Sequence, residues 1–345
     1  MNVSLVTVLV CTHNRASFLR QTLQAISALP TRGDYNVEII VVDNNSTDNT
    51  ADVVRAAAAS AALPVRYEFE PRQGKSFALN LGLRSARGEV IAHTDDDVWP
   101  DGQWLDRIVD AFRDHDITFA FGKVRPRWER VPPPELLTKR AHQIWGPLAI
   151  LDYGDDAQAY APDKAGQRLP VGANLAFSKQ ALLDIGGWRT DLGKVDNSLI
   201  SGEDHEIFYR LKRAKAYAGF YDPAISVRHF VPASRLTRRY FRRWFYWHGK
   251  TMARMPEEVF DLDLAQVPRI AGVPRFMYRQ MLQQAWRWFR MAARRDALGT
   301  LIEELKVIEY FGLFAQYWQW MLSGGPGRAG HLAHDADSHG ALPVA

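Results

Sequence analysis

The chain has 345 residues, of which 47% are hydrophobic and 24% charged, as in an ordinary globular protein with a core large enough to need no disulfide or metal staple. Its single cysteine, Cys11, excludes an intrachain disulfide framework and favours a reducing compartment. The net charge of +4 is only mildly basic, so the distribution of charge along the chain is more informative than its sum.

Apolar runs alternate with amphipathic stretches through the first 120 residues. The runs at 6–11 and 37–42 are almost free of polar residues, as in strands that are buried on both faces of a sheet. The stretch after Asn14 has apolar residues at helical spacing, with Asn14 as the predicted N-cap. Further helices are predicted at 50–62, 74–86 and 104–112, and further strands at 65–69 and 90–92. This alternation predicts an α/β fold with a mainly parallel sheet flanked by helices.

The pattern changes after residue 123. Residues 124–168 contain three consecutive prolines and are predicted to form a loop-rich insertion, after which strands resume at 175–177 and 224–227. From residue 234 onward the chain is predicted to be wholly helical, basic and aromatic, and residues 323–345 to be disordered. We therefore divide the chain into an α/β domain over 1–233, a basic-aromatic helical extension over 234–322 and a tail over 323–345.

The first residues, MNVSLVTVLVCTHNR, have no basic segment before their short apolar run. No uncharged apolar stretch reaches the roughly 18 residues of a membrane-spanning helix. We therefore expect a cytoplasmic protein.

Polar or acidic residues follow three of the predicted strands. The first strand leads into Thr12-His13-Asn14-Arg15, the second ends at Asp43, and the fourth runs into Asp95-Asp96-Asp97. In open parallel sheets, ligands bind beyond the carboxyl ends of the strands. Alternate residues of an extended segment point the same way, so Asp95 and Asp97 can face one site, and Mg²⁺ or Mn²⁺ prefers such carboxylate oxygens together with substrate phosphates. An acidic turn without a metal is the structural alternative.

Five segments, taken in chain order, resemble the successive motifs of the inverting family 2 glycosyltransferases, which have the GT-A fold. They are VTVLVCTHNR, VVDNNSTDNT, IAHTDDDVWP, GANLAF and SGEDHEIFYRL, within residues 4–230. The resemblance implies a hexosyltransferase that moves a sugar from a nucleotide-diphosphate sugar, commonly a UDP-sugar, to an acceptor hydroxyl in polysaccharide or glycolipid synthesis. It also implies a nucleotide-binding half over 1–123 and an acceptor half over 124–233.

The resemblance further implies roles for individual residues. Asp204 would be the general base, with Glu203 beside it, and Asp43 would contact the nucleobase. Asp97 and His229 would ligate Mn²⁺ or Mg²⁺. The other residues expected to bind the nucleotide sugar are Thr12, Asn14, Arg15, Lys75, Asp95, Asp96, Gly172 and Asn174, and those expected at the acceptor or diphosphate are Trp188, Arg243 and Trp244. Structural alternatives stay open: Asp43 as a turn cap, Asp204 as a first-turn helix acid, and His229 as a packing residue.

The helix predicted after residue 234 carries arginines at spacings of three and four, at positions 235, 238, 239, 242 and 243. They form a solvated face, contact an anionic membrane, or bind the phosphates of a donor or lipid-linked acceptor. Residues 240–244 resemble the QxxRW element of processive members, with tyrosine in place of glutamine, so we expect one sugar per encounter. Because residues 276–322 repeat this basic-aromatic composition, we expect peripheral association with the inner face of the cytoplasmic membrane and a saccharide or lipid-linked acceptor.

Two other classes of protein share some of these sequence features. A nucleotidyltransferase that makes sugar nucleotides would carry a glycine-rich phosphate loop after the first strand, where this chain has Thr12-His13-Asn14-Arg15. A non-catalytic nucleic-acid-binding module would fit the arginine stripe, but acidic strand ends would repel its phosphates. We therefore expect no nucleic-acid partner.

Overall fold

The structure, a computed structural model, describes residues 1–160, 169–193, 199–255 and 267–324. The chain divides into two compact units, Met1–Trp244 and Phe245–Ala345. The predicted disordered tail lies outside the described residues from position 325 onward.

The first unit contains eleven strands among its described residues: β1 (Leu5–Thr12), β2 (Asn36–Asp43), β3 (Val65–Phe69), β4 (Val90–Asp95), β5 (Val98–Pro100), β6 (Phe119–Phe121), β7 (Val124–Trp128), β8 (Gln158–Tyr160), β9 (Leu175–Ser178), β10 (Gly219–Tyr221) and β11 (Val227–Val231). Eight of them form one sheet in the order β3-β2-β1-β4-β9-β6-β10-β8, and β5-β11-β7 form a smaller sheet. The large sheet is parallel from β3 to β4, and β9 and β8 run antiparallel to their neighbours. The predicted α/β class with a mainly parallel sheet is confirmed.

Six helices accompany these strands within the first unit: α1 (Ala16–Ser27), α2 (Thr50–Ser60), α3 (Lys75–Ser85), α4 (Trp104–Asp114), α5 (Lys179–Asp184) and α6 (Glu203–Arg213). A seventh, α7 (Arg238–Arg254), begins in the first unit and ends in the second. Leu9 of β1 and Ile40 of β2 are fully buried, as expected of continuous apolar strands with both faces covered. The core therefore lies on both sides of the sheet.

The strand order places the site. β1 pairs with β2 on one side and β4 on the other, and the register puts Thr12 beside Asp43 and Cys11 beside Asp95. The chain passes from β1 to β2 and β3 on one side and then crosses to β4 on the other. In open sheets such a reversal leaves a crevice at the carboxyl ends of the two strands that flank it. The loop after β1 and the three aspartates after β4 meet there.

Three local predictions are wrong. Asn14 is not the cap of α1, because its backbone is left-handed (φ 52°) and its Oδ1 instead accepts hydrogen bonds from the backbone amides of Thr47 and Asp48. The insertion after residue 123 is more regular than predicted, with β7, β8 and 3-10 turns at Pro134–Leu137, Lys139–Ile144 and Gly146–Leu148. The last predicted strand begins later, since β11 spans Val227–Val231.

The second unit is mainly helical. It holds the end of α7, then α8 (Arg275–Ala293) and α9 (Ala297–Leu322), preceded by a short hairpin of β12 (Arg269–Ile270) and β13 (Val273–Pro274) that the wholly helical prediction missed. α7 and α9 approach closely, because a Cβ at Gly249 would lie 1.9 Å from the Glu309 carbonyl oxygen and one at Gly312 would lie 1.8 Å from that of Tyr246. Small residues are therefore required at both crossing points. Among the described residues, no helix is long and apolar enough to cross a bilayer.

Candidate functional site

A cavity of about 390 Å³ opens at the crevice between β1 and β4. Its walls come from the loop after β1, the start of α3, the end of β4, the start of α6, β11 and the first turns of α7. Eleven residues that were predicted for the site line it: Thr12, Arg15, Lys75, Asp95, Asp96, Asp97, Gly172, Glu203, Asp204, His229 and Trp244. The cavity thus collects side chains that are up to 232 positions apart in the chain, from Thr12 to Trp244.

Two aspartates and a histidine form a potential metal site. One ligand atom each from Asp95, Asp97 and His229 lie within 4.8 Å of one another. Pairing of β5 with β11 sets Val98 opposite His229, which brings the imidazole Nε2 to 3.5 Å from Asp97 Oδ1. That oxygen is buried and accepts no hydrogen bond from any residue that the structure describes. Carboxylate oxygens with one imidazole suit a divalent cation such as Mn²⁺ or Mg²⁺, so these residues fit such an ion.

Arg15 forms ion pairs with both Asp96 and Asp97. Its Nη2 lies 2.6 Å from Asp97 Oδ2 and its Nη1 lies 2.9 Å from Asp96 Oδ1. Asp96 does not belong to the group of potential metal ligands, and its second oxygen accepts a hydrogen bond of 2.7 Å from the Thr12 hydroxyl. Burial raises the pKa of Asp96 to about 7, although Arg15 opposes the shift. Asp96 therefore holds Arg15 and Thr12 in place.

Lys75 links two acidic positions. Its Nζ lies 2.9 Å from Asp95 Oδ1 and 3.8 Å from Glu203 Oε1. Burial by itself would lower the pKa of Lys75, but Asp95, Asp204 and Glu203 outweigh it and raise the pKa well above the usual value. Burial works against ionisation of Asp95 in the same way, yet Lys75 above all lowers the pKa of that carboxyl. Both groups are therefore charged at neutral pH.

Asp204 is placed differently from the other acids. It is the second residue of α6, and its Oδ1 is buried with no hydrogen-bond partner among the described residues. A Cβ at position 172 would lie 2.1 Å from Asp204 Oδ2, so only glycine fits against this carboxylate. A helix N-terminus stabilises a carboxylate in its first turn. The geometry leaves one carboxylate oxygen free to accept a proton inside the cavity.

The structure does not bring five predicted residues into the wall. The carboxylate of Asp43 accepts hydrogen bonds from the Tyr67 hydroxyl (2.8 Å) and the Ser46 amide (2.9 Å), which is the turn-capping alternative. Asn14 Oδ1 accepts hydrogen bonds from the backbone amides of Thr47 and Asp48 and thereby stabilises that loop. Trp188 is buried, with its ring packed edge-on against Phe177. Arg243 is exposed on α7.

Asn174 is the fifth of these residues, and its amide is fully used inside the fold. Its Nδ2 donates to the carbonyls of Lys123 (3.0 Å) and Ile225 (2.8 Å), and its Oδ1 accepts from Trp104 Nε1 (2.8 Å). A ligand could reach none of these atoms, because the side chain has no exposed surface. Asn174 therefore positions the strand ends around the cavity.

The wall also contains residues that the sequence did not assign to it, among them Gln73, His205 and Tyr240. Tyr240 lies one helical turn before Trp244 on α7, so its spacing from a predicted site residue was a usable signal. Gln73 precedes α3 and lies 3.2 Å from the His13 ring, a contact that no sequence pattern indicates. Cys11 also lines the cavity, and burial raises the pKa of its thiol, so it stays protonated.

Comparison with known proteins gives a match to a family model and a similarity in fold to solved structures. Residues 7–148 match the family model described as glycosyl transferase family 2. The uncharacterized glycosyltransferase alr2836 of Nostoc sp. is 35% identical over 113 residues, which is 32% of this chain and 34% of that protein, so the match spans only about a third of that relative. The glucosyl-dolichyl phosphate glucuronosyltransferase of Haloferax volcanii is 22% identical over 71% of this chain and 75% of its own. A solved structure of the mannosyltransferase PcManGT from Pyrobaculum calidifontis, in complex with GDP-Man and Mn²⁺, matches with a TM-score of 0.50 and 20% identity, over 95% of this chain and 78% of that one.

Proposed function

The chain belongs to glycosyltransferase family 2 and has the GT-A fold, and on that premise we propose that it transfers a hexosyl group from a nucleoside diphosphate sugar to an acceptor hydroxyl with inversion at the anomeric carbon. One observation carries the proposal. The unpartnered oxygen of Asp204 and the group of Asp95, Asp97 and His229 belong to the same cavity. A base for the acceptor and ligands for a cation are the two elements that such a transfer needs.

Asp95, Asp97 and His229 would hold the cation, with Mn²⁺ as the first candidate because the mannosyltransferase PcManGT binds it. Such a cation, when bound, neutralises the diphosphate and stabilises the charge that grows on the leaving group. The buried Oδ1 of Asp97, which accepts no hydrogen bond, supports this assignment.

Arg15 and Lys75 compensate the charge of the acids before the donor binds. Arg15 occupies Asp97 Oδ2 at 2.6 Å, so a cation could bind Oδ1 with Arg15 in place and would reach both oxygens only if the guanidinium released Oδ2. Once released, its planar fork of donors is suited to a phosphate of the donor. Lys75, between Asp95 and Glu203, holds the two acidic walls together.

Asp204 accepts the proton. As the acceptor oxygen bonds to the anomeric carbon, its hydrogen passes to Asp204 Oδ1, and the bond between the anomeric carbon and the diphosphate oxygen breaks. A single displacement from the face opposite the diphosphate inverts the configuration and needs only one catalytic carboxylate. Glu203 is less suited to this role because Lys75 lies 3.8 Å from its Oε1.

We propose a UDP-sugar as the donor, following the resemblance of the sequence motifs, and a GDP-sugar as the alternative, because PcManGT carries GDP-Man. The acceptor would be a saccharide or lipid-linked saccharide in polysaccharide or glycolipid synthesis, in line with the glucosyl-dolichyl phosphate in the name of the Haloferax relative. One sugar is transferred per encounter.

The test is a donor panel. The full chain is incubated with Mn²⁺ and UDP-glucose, UDP-galactose, UDP-N-acetylglucosamine, UDP-glucuronate or GDP-mannose, and the products are measured by mass spectrometry. The proposal predicts release of a nucleoside diphosphate from at least one donor, lost when Mn²⁺ is chelated and lost in Asp204→Asn. Formation of a sugar nucleotide and inorganic pyrophosphate from a nucleoside triphosphate and a sugar phosphate, with no release of a nucleoside diphosphate from any donor, would instead assign a nucleotidyltransferase.

A further inference from the structure

The solvent face of α8 is unusually apolar. Leu282, Trp286 and Phe289 are 64%, 61% and 60% exposed, and their spacing of four and three residues puts them on one stripe. Met277 and Gln284, the buried residues of the helix, lie on the opposite side. A helix on a water-exposed surface normally turns its polar side outward. Here the outward side carries three large apolar side chains.

The same helix is strongly basic. Residues 275–295 contain six arginines and no acidic residue: Arg275, Arg279, Arg287, Arg290, Arg294 and Arg295. All six are exposed, and none forms an ion pair with a described carboxylate. By helical spacing, Arg279, Arg290 and Arg294 lie along one edge of the apolar stripe. Among the described residues, the positive charge of this surface is therefore not compensated by an ion pair.

We propose that α8 binds the surface of a bilayer that contains anionic lipids. Leu282, Trp286 and Phe289 enter the boundary between head groups and acyl chains, and the flanking arginines reach back to the lipid phosphates. The indole of Trp286 stacks on Phe289 with the ring centroids 5.7 Å apart, which presents one continuous aromatic surface. Aromatic rings of this kind are favoured at the membrane interface. This inference does not depend on the proposed transferase activity.

The distribution of charge on this face favours a bilayer over a second copy of the chain or a nucleic acid. A second copy of the chain, docked symmetrically through this face, would set arginine against arginine, with no acid in residues 275–295 to pair them. A nucleic acid would be bound by arginines at the centre of the surface, yet Leu282, Trp286 and Phe289 occupy the centre and Arg279, Arg290 and Arg294 lie at its edge. Lipid head groups above an apolar layer match both parts of the surface.

Vesicle flotation tests the proposal. The full chain is mixed at low salt with vesicles of phosphatidylcholine alone or of an equal mixture of phosphatidylcholine and phosphatidylglycerol. We expect the protein to float with the anionic vesicles, to stay in the dense fraction with the neutral ones, and to be released as salt is raised.

Two pairs of variants localise the contact. In Trp286→Gln/Phe289→Gln the partition coefficient is expected to fall by at least about tenfold, whereas the control Val131→Gln/Leu137→Gln, which removes two exposed apolar residues elsewhere, retains it. In Arg279→Gln/Arg290→Gln the partition coefficient is expected to fall about thirtyfold, since each basic residue contributes about 1 kcal/mol near an anionic surface. The charge-matched control Arg84→Gln/Arg130→Gln retains binding.

Three results would overturn the proposal: no flotation with either vesicle, equal binding to both vesicles, or the same loss in the control variants as in the α8 variants. A concentration-dependent dimer that Trp286→Gln/Phe289→Gln abolishes, without vesicle binding, would assign the face to a second copy. Tight binding to a polynucleotide instead of vesicles would assign it to nucleic acid. Because release of nucleoside diphosphate from a soluble donor does not involve α8, its rate in Trp286→Gln/Phe289→Gln separates failure of this proposal from failure of the transferase assignment.

Discussion

The cavity between β1 and β4 and the solvent face of α8 both concentrate charge, but they handle it in opposite ways. In the cavity, Asp95, Asp96 and Asp97 are met by Lys75 and Arg15 at distances of 2.9 Å or less. Along residues 275–295, which comprise α8 and the two residues after it, six arginines occur with no acidic residue. A cluster that carries its own counter-charges is suited to exchange them for a cation and a diphosphate, whereas an uncompensated cluster needs an external anionic partner.

The largest effect is expected at Asp204. Asp204→Asn should lower the rate of sugar transfer by about 10² to 10⁴-fold, because an amide cannot accept the proton of the acceptor hydroxyl. Donor binding, measured by calorimetry, should change little, since the Oδ1 atom has no hydrogen-bond partner to lose. Asp184→Asn, an exposed acid on α5, serves as the control. Equal loss of transfer and donor binding would reassign Asp204 to a structural role.

Asp97 and Asp96 are adjacent but should respond differently. Asp97→Asn is expected to weaken Mn²⁺ binding by more than about 100-fold, because it removes a charged ligand. Asp96→Asn should weaken it far less, because both Asp96 oxygens are used by Thr12 and Arg15. Free Mn²⁺ can be followed by electron paramagnetic resonance during a titration. A similar loss in both variants would mean that the acids act only through their summed charge.

Gly172→Ala tests how Asp204 is held. The added Cβ would lie 2.1 Å from Asp204 Oδ2 and force the carboxylate to move, so the transfer rate should fall by about 10 to 100-fold. The control is Gly102→Ala, where a Cβ meets nothing within 4 Å. Unchanged transfer in Gly172→Ala would show that the position of this carboxylate is not critical.

The smallest effect is expected from removing a counter-charge. Arg15→Gln should strengthen Mn²⁺ binding in the absence of nucleotide by up to about tenfold, because Asp97 Oδ2 no longer has an internal cation, and should weaken donor binding by a similar factor. The matched control Arg287→Gln, on α8, should alter neither affinity. If Arg15→Gln weakens Mn²⁺ binding instead, Arg15 is not a counter-charge that the cation replaces, and the contrast between the cavity and the face of α8 is wrong.

The sequence predicted those features that depend on local periodicity. The apolar runs at 6–11 and 37–42 indicated buried strands, and the carboxyl-edge rule then brought Thr12, Asp95 and Asp97 to one cavity. Features that depend on contacts between distant side chains were not predictable. Asp43 is capped by Tyr67 from the neighbouring strand, and Asn174 is bound by three groups from positions 104, 123 and 225.

The exposed apolar face of α8 is likewise not predictable from the sequence. Its basic-aromatic composition is evident in the sequence, where it is one part of a longer basic-aromatic region over 276–322. Only packing of the helix decides which side is buried, and Met277 and Gln284 occupy that side. The apolar residues of an amphipathic helix are normally predicted to face the core, so the exposure of Leu282 and Trp286 could not be predicted from periodicity.

The central claim is that a cation site and a free carboxylate serve one transfer reaction in one cavity. A crystal structure of Asp204→Asn with Mn²⁺ and the donor found by the panel tests it most directly. We expect the ion between Asp95, Asp97 and His229, the diphosphate bound to it, and the anomeric carbon open toward residue 204. An ion or nucleotide bound elsewhere, or a sugar turned away from residue 204, would contradict it.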